Sequence, residues 1–112
     1  MDVKSERCHS FEVMKSSGLE RLRAEDKHVE AFKALAHRGR LETFFFLVRA
    51  QREVAAGEIQ EALGFPAPTL SHHLDVLRRA RLVMSRRQQR YIYYSVRSDL
   101  TYQLVRLLTA CC

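Results

Sequence analysis

Apolar residues recur at helical spacing over most of the chain and give way to β-rich runs only near its end. Residues 1–24 are mixed and weakly periodic, with Ser16-Ser17-Gly18 as an interruption, and are expected to form an N-terminal arm. From Asp26 the pattern becomes helical, with Val29, Phe32, Leu35 and Ala36 on one face, and Gly39 marks a break or a tight packing point. Leu41, Phe44, Phe45, Leu47 and Val48 predict a second helix, apolar on more than one face and so largely buried. Arg49 to Ala56 read as a polar connection, and Gly57 opens a short helix closed by Gly64. Phe65-Pro66-Ala67-Pro68 is a turn, since proline cannot continue the helix before it but is tolerated at the start of the next. That next helix runs from about Ala67 to Ala80, with Leu70, Leu74 and Leu77 inward. Leu82–Ser85 and Tyr91–Val96 predict a β-hairpin whose tip is Arg86-Arg87-Gln88-Gln89-Arg90. Ser98 is expected to cap a last helix bearing Leu100, Leu104, Val105, Leu107 and Leu108. The prediction is a mainly α fold with a small β-hairpin, in the order α-α-α-α-β-β-α, over residues 25–112.

Placing the charges changes this picture from a scaffold to a binding protein. The 112 residues carry 19 basic and 13 acidic side chains, a formal net charge of +6. Residues 1–62 are balanced, whereas residues 63–112 hold eight arginines against Asp75 and Asp99, so the whole excess lies there. A field confined to one half of a small domain implies a polyanionic partner. With 46% apolar and 29% charged residues the composition is that of an ordinary globular domain, which excludes a disordered or collagen-like chain. No apolar run approaches the roughly 18–20 residues that span a bilayer, and the N-terminus is too polar for a signal peptide. A cytoplasmic location without membrane association is expected.

Residues 57–80, a short helix, a tight turn and a second helix, have the dimensions of a helix-turn-helix. The second helix of such a unit enters the major groove of double-stranded DNA with its N-terminal residues against base edges. Here Thr69, Ser71, His72 and His73 stand at that end, and Arg78, Arg79 and Arg81 close the other. Arg86, Arg87, Gln88 and Arg90 at the hairpin tip read as the wing of a winged helix, reaching the DNA backbone or minor groove. His72-His73 is a poor metal pair, because adjacent helical residues point about 100° apart. His73, beside Leu74 and Leu77, also reads as a semi-buried packing residue.

Three segments carry a family resemblance. Phe32-Lys33-Ala34-Leu35-Ala36-His37-Arg38-Gly39-Arg40-Leu41 looks like the signature of the ArsR/SmtB family of winged-helix repressors. Thr69-Leu70-Ser71-His72-His73-Leu74-Asp75-Val76-Leu77-Arg78-Arg79-Ala80-Arg81-Leu82-Val83 resembles its recognition helix, and Tyr91-Ile92-Tyr93-Tyr94-Ser95 its wing strand. The resemblance covers about residues 28–110. It implies a homodimer joined through first and last helices, bound to an imperfect palindromic operator and released by an inducing ligand. The stripe Leu100, Leu104, Val105, Leu107 and Leu108 fits that dimer role, although a monomer core would also produce it.

The cysteines suggest the inducer. Only Cys8, Cys111 and Cys112 are present, an odd number at the two ends, which argues against a disulfide framework. Thiolates are soft ligands, and As(III) prefers three of them in a pyramidal arrangement. Cys111-Cys112 supplies two without any fold to hold them, and Leu107 to Cys112 resembles the C-terminal pair of an arsenical-responsive subgroup. That subgroup has a third cysteine a few residues further on; the sequence ends at Cys112, which leaves Cys8 as the candidate third thiolate. The expected inducer is therefore As(III), or Sb(III), with no organic cofactor. Two other inducers remain: a redox or reactive-sulfur signal acting on the same thiols, and a transition metal at Cys8 and His9. A non-sensing architectural nucleic-acid-binding protein is the alternative from another class. No Gly-rich phosphate loop, paired catalytic carboxylates or nucleophile–base spacing points to an enzyme.

Overall fold

The computed structural model describes residues 24–109. Its elements are α1 (Asp26–Leu35), α2 (Arg38–Ala50), β1 (Val54–Ala55), α3 (Ala56–Leu63), α4 (Ala67–Arg79), β2 (Val83–Gln88), β3 (Tyr91–Val96) and α5 (Ser98–Thr109). The expected winged helix is present, with one additional strand. The candidate thiols Cys8, Cys111 and Cys112 lie outside the described residues, as does nearly all of the expected arm.

Each helix starts and stops for a local reason. Glu25 and His28 form a reciprocal capping box at α1, in which the Glu25 backbone N–H donates to His28 Nδ1 at 3.0 Å. That bond leaves the proton on Nε2, which donates to Gln103 Oε1 on α5 at 3.1 Å and so ties α1 to the last helix. The break between α1 and α2 falls at Ala36-His37, earlier than expected, and His37 caps α2 by accepting the Gly39 N–H on its Nδ1. Gly64 ends α3 at φ 79°, with its N–H on the Gln60 carbonyl, the left-handed stop that glycine adopts without strain. Pro66 precedes α4 and Pro68 sits in its first turn, where no intrahelical N–H bond is lost. Ser98 is the first residue of α5 and not its cap; the Arg97 carbonyl accepts the Thr101 N–H one residue earlier.

The core draws on every element. Leu70, Leu74 and Leu77 of α4 are buried together with Phe44, Leu47, Val54, Ile59, Leu82, Val83, Leu100 and Leu104. Phe45 and Val48 correct the expectation of a largely buried α2, because both remain exposed on the side of that helix away from the core. Val54-Ala55, read from sequence as part of a polar connection, instead pairs with Tyr94 and Tyr93, giving an antiparallel sheet in the order β1-β3-β2. The hairpin is longer than its apolar pattern, since Arg86, Arg87 and Gln88 continue β2 opposite Tyr93, Ile92 and Tyr91. The wing tip is therefore Gln89-Arg90 alone, a two-residue turn with Gln89 at φ 56°.

Gly39 is the tight packing point. A Cβ built there would stand 2.6 Å from His73 Nε2 and 3.3 Å from the Phe65 ring, so the first turn of α2 seats the α4 histidine directly on bare backbone. His73 is boxed in on several sides and cannot move aside cheaply. Gly39→Ala should therefore destabilise the fold by about 1–3 kcal/mol through overpacking, despite alanine's better helix propensity. Urea unfolding of the variant against the parent measures this, and an unchanged midpoint would contradict the packing account.

Candidate nucleic-acid interface

The exposed side of α4 and the facing side of the wing enclose a groove of about 560 Å³. Ser71, His72, Asp75 and Arg78 line it from the helix, and Ser85, Ile92 and Tyr94 from the sheet. The helical period explains the first set, because Leu70, Leu74 and Leu77 point to the core and leave the neighbouring positions outward. Strand alternation explains the second. Ser85, Arg87, Ile92 and Tyr94 share the face towards α4, while Arg86, Gln88, Tyr91 and Tyr93 share the other. Burial raises the Tyr94 hydroxyl above its ordinary range, so it stays a neutral hydrogen-bonding group at the groove floor.

Thr69, Ser71 and His72 are exposed at the N-terminal end of α4, as expected. His73 is not, and its expected place among DNA contacts is corrected. It is buried, with its ring centroid 4.9 Å from that of His37 and 5.3 Å from that of Phe65, and its Nδ1 has no hydrogen-bond partner. Its ring lies 6.2 Å from that of His72, and among the described residues no group of three or more potential ligands is placed to hold a metal ion.

The arginines divide into held and free. Asp75 binds Arg78 through Oδ1 and Arg79 through Oδ2, both at 2.7 Å, and these partners hold its carboxyl below the usual range. Arg86 donates through Nε and a terminal nitrogen to the two Glu53 oxygens at 2.9 and 2.8 Å, and through its other terminal nitrogen to Gln88 Oε1 at 3.0 Å. Its guanidinium also lies 5.0 Å from the centre of the Tyr93 ring. Arg86 and Gln88, expected at the hairpin tip, are thus fixed in a strand on the side turned away from α4. Arg81, Arg87 and Arg90 have no carboxylate partner among the described residues; Arg87 bonds the Gln89 carbonyl and Arg90 lies over Tyr91. Sequence reading missed Glu53 because its partner is 33 residues away, across a strand that the polar run concealed.

Comparison with known proteins fixes the family. A helix-turn-helix domain model matches residues 35–86. The regulator KmtR of Mycobacterium tuberculosis is 42% identical over 69% of this chain and 58% of its own length. YceK of Bacillus subtilis, an HTH-type transcriptional regulator, is 35% identical over 85% of this chain and 88% of its own. Among solved structures, the homodimeric winged helix-turn-helix DNA-binding domain of Mb0332 from Mycobacterium bovis, a possible ArsR-family regulator, is 31% identical. It superposes with a TM-score of 0.63 over 74% of this chain and 76% of that one. This chain belongs to the ArsR family of winged-helix transcriptional regulators. KmtR and YceK are HTH-type transcriptional regulators, and Mb0332 is a possible one. The match spans less than two thirds of KmtR. Among the described residues no helix is long and apolar enough to cross a membrane.

In this ArsR-family domain the buried His73 gives acid sensitivity a place. Burial, and then electrostatic interaction with His37, Arg40 and His72, hold its imidazole below the ordinary histidine value. The unfolded chain therefore binds a proton first as pH falls through about 6.5, so this site costs stability progressively on acidification and nothing above neutrality. Urea unfolding between pH 7.5 and 5.5 should show the parent losing stability relative to His73→Leu. Parallel pH curves would sink the assignment.

Proposed function

We propose that this ArsR-family chain is a dimeric, DNA-binding repressor whose operator affinity is lowered when its cysteine thiolates capture As(III) or Sb(III). The observation that carries the DNA reading is the polar, exposed N-terminal end of α4 opening onto a groove whose other wall is the basic wing. α4 would lie in the major groove with Thr69, Ser71 and His72 at base edges. Arg87 and Arg90, free of carboxylates among the described residues, would take backbone phosphates, and Arg78 would join them on release from Asp75. Arg86 and Gln88 would contribute only by leaving Glu53, which holds Arg86, and Arg86, which holds Gln88.

The dimer reading is supported by apolar surface on the two helices that the family joins. Val29 on α1, and Tyr102, Val105 and Leu108 on α5, are exposed in the single chain. A hollow of about 720 Å³ lined in part by Tyr102 and Val105, between α2, α5 and the loop before β1, adjoins the α5 part of that surface. The homodimeric state of the Mb0332 domain agrees with this use.

The inducer reading rests on donor chemistry. Cys111 and Cys112 follow α5 after Ala110 in sequence and supply adjacent soft thiolates, with Cys8 as the candidate third. Capture there would constrain helices at the dimer seam and so alter the spacing of the two α4 helices. Couplings of roughly 1–3 kcal/mol correspond to about 5–150-fold weaker operator binding.

Gel shifts on the promoter of the chain's own operon, titrated in parallel with arsenite, zinc and peroxide, test both halves. Arsenite should release the parent protein but not a Cys111→Ser/Cys112→Ser variant. Release of that variant by arsenite would refute the thiolate site, and release by peroxide alone would assign a redox signal instead. His72→Ala should cost about 1–3 kcal/mol of discrimination at one base pair while leaving binding to unrelated duplex unchanged.

A further inference from the structure

We infer that Glu53 is an internal rival of DNA phosphate, which withholds Arg86 from the backbone and thereby lowers the sequence-independent part of DNA affinity. The inference deepens the DNA-binding reading above and rests on it. Glu53 lies just before β1, outside both the helix-turn-helix and the wing, yet its carboxylate occupies the planar fork of a wing arginine. The paired N–H groups of that fork are the ones that would grip a phosphate. The pair crosses the sheet. Arg86 stands opposite Tyr93 on one side, Ala55 stands opposite Tyr93 on the other, and the guanidinium passes the tyrosine ring to reach residue 53. The Gln88 carboxamide occupies the remaining nitrogen, so all three nitrogens of Arg86 are engaged.

This pair is not what positions the wing. β2 and β3 are held by an unbroken six-pair register, and both partners of the ion pair are about half exposed, where such pairs add little to folding. What the carboxylate does change is the electrostatics of approach. A phosphate must displace Glu53 to use Arg86, and meets a negative charge beside the wing while doing so. Any duplex would otherwise gain from this arginine regardless of sequence, because phosphate contacts carry no sequence information. Glu53 therefore suppresses the unspecific part of the affinity.

The test is the salt dependence of binding to operator and to unrelated duplex, for the parent, Glu53→Gln, Arg86→Ala and the double variant. Glu53→Gln keeps the shape of the side chain, and its melting temperature checks that the fold is intact. The expected result is a log–log salt slope steeper by about 0.9, one more phosphate contact, on both duplexes. Binding near 0.1 M salt should tighten by roughly fivefold on both duplexes. Arg86→Ala alone should leave the slope unchanged, and the double variant should return to the parental slope. A slope unchanged or reduced in Glu53→Gln, or reduced in Arg86→Ala alone, overturns the inference while leaving DNA binding intact. Failure of the parent to bind any duplex overturns the DNA-binding reading itself, and this inference with it.

Discussion

The seat of His73 on Gly39 is the contact on which the rest of the molecule depends. α4 can offer an outward polar face only because its inward face is fixed, and at its N-terminal end that fixing is done by a histidine against bare backbone. The arrangement explains why a polar residue sits in the core with an unpartnered nitrogen. An apolar side chain there would face His37, which caps α2 with its own ring, and the two rings pack together at one helix junction. The orphaned nitrogen costs stability, and the close approach of α2 to α4 offsets it.

From that seat the remaining geometry follows in order. α4 is held by its leucines, and Leu82 and Val83 carry the chain from its end into the core, so the root of the wing is as fixed as the helix. β3 then lies between β1 and β2, which makes the residues before β1 neighbours of the wing. His28 in turn joins the start of α1 to α5, its Nδ1 accepting from the Glu25 N–H and its Nε2 donating to Gln103. The apolar surface proposed for dimer contact and the polar surface proposed for DNA are thus built on one shared core.

Much of this was legible in the sequence. Helical spacing located α1 to α5 within a few residues, the leucine stripe of α4 located the helix-turn-helix, and the tyrosine-rich run located β3. Glycine and proline placed the boundaries around Gly64 and Pro66, because their backbone limits are intrinsic to the residue. The parts that stayed hidden depend on partners distant in sequence. Val54-Ala55 is too short to show alternation and becomes a strand only because β3 is present. Arg86 to Gln88 have no apolar pattern and become strand by pairing. Composition counted every arginine in the basic half as available, whereas Asp75 and Glu53 hold three of them. His73 carried two conflicting signals, its helix position and its apolar neighbours, and burial decided for the neighbours.

Arg86 and Arg87 are chemically identical side chains joined by one peptide bond, and they differ only in parity. The two-residue tip at Gln89-Arg90 allows the hairpin no slack, so strand alternation alone assigns one guanidinium to the carboxylate and the other to the groove face. A slip of one residue would exchange the two assignments without altering composition or net charge, and it is opposed because it would also turn the buried Val83 outward. The wing is in this sense a counting device, and the length of its turn is part of its charge pattern.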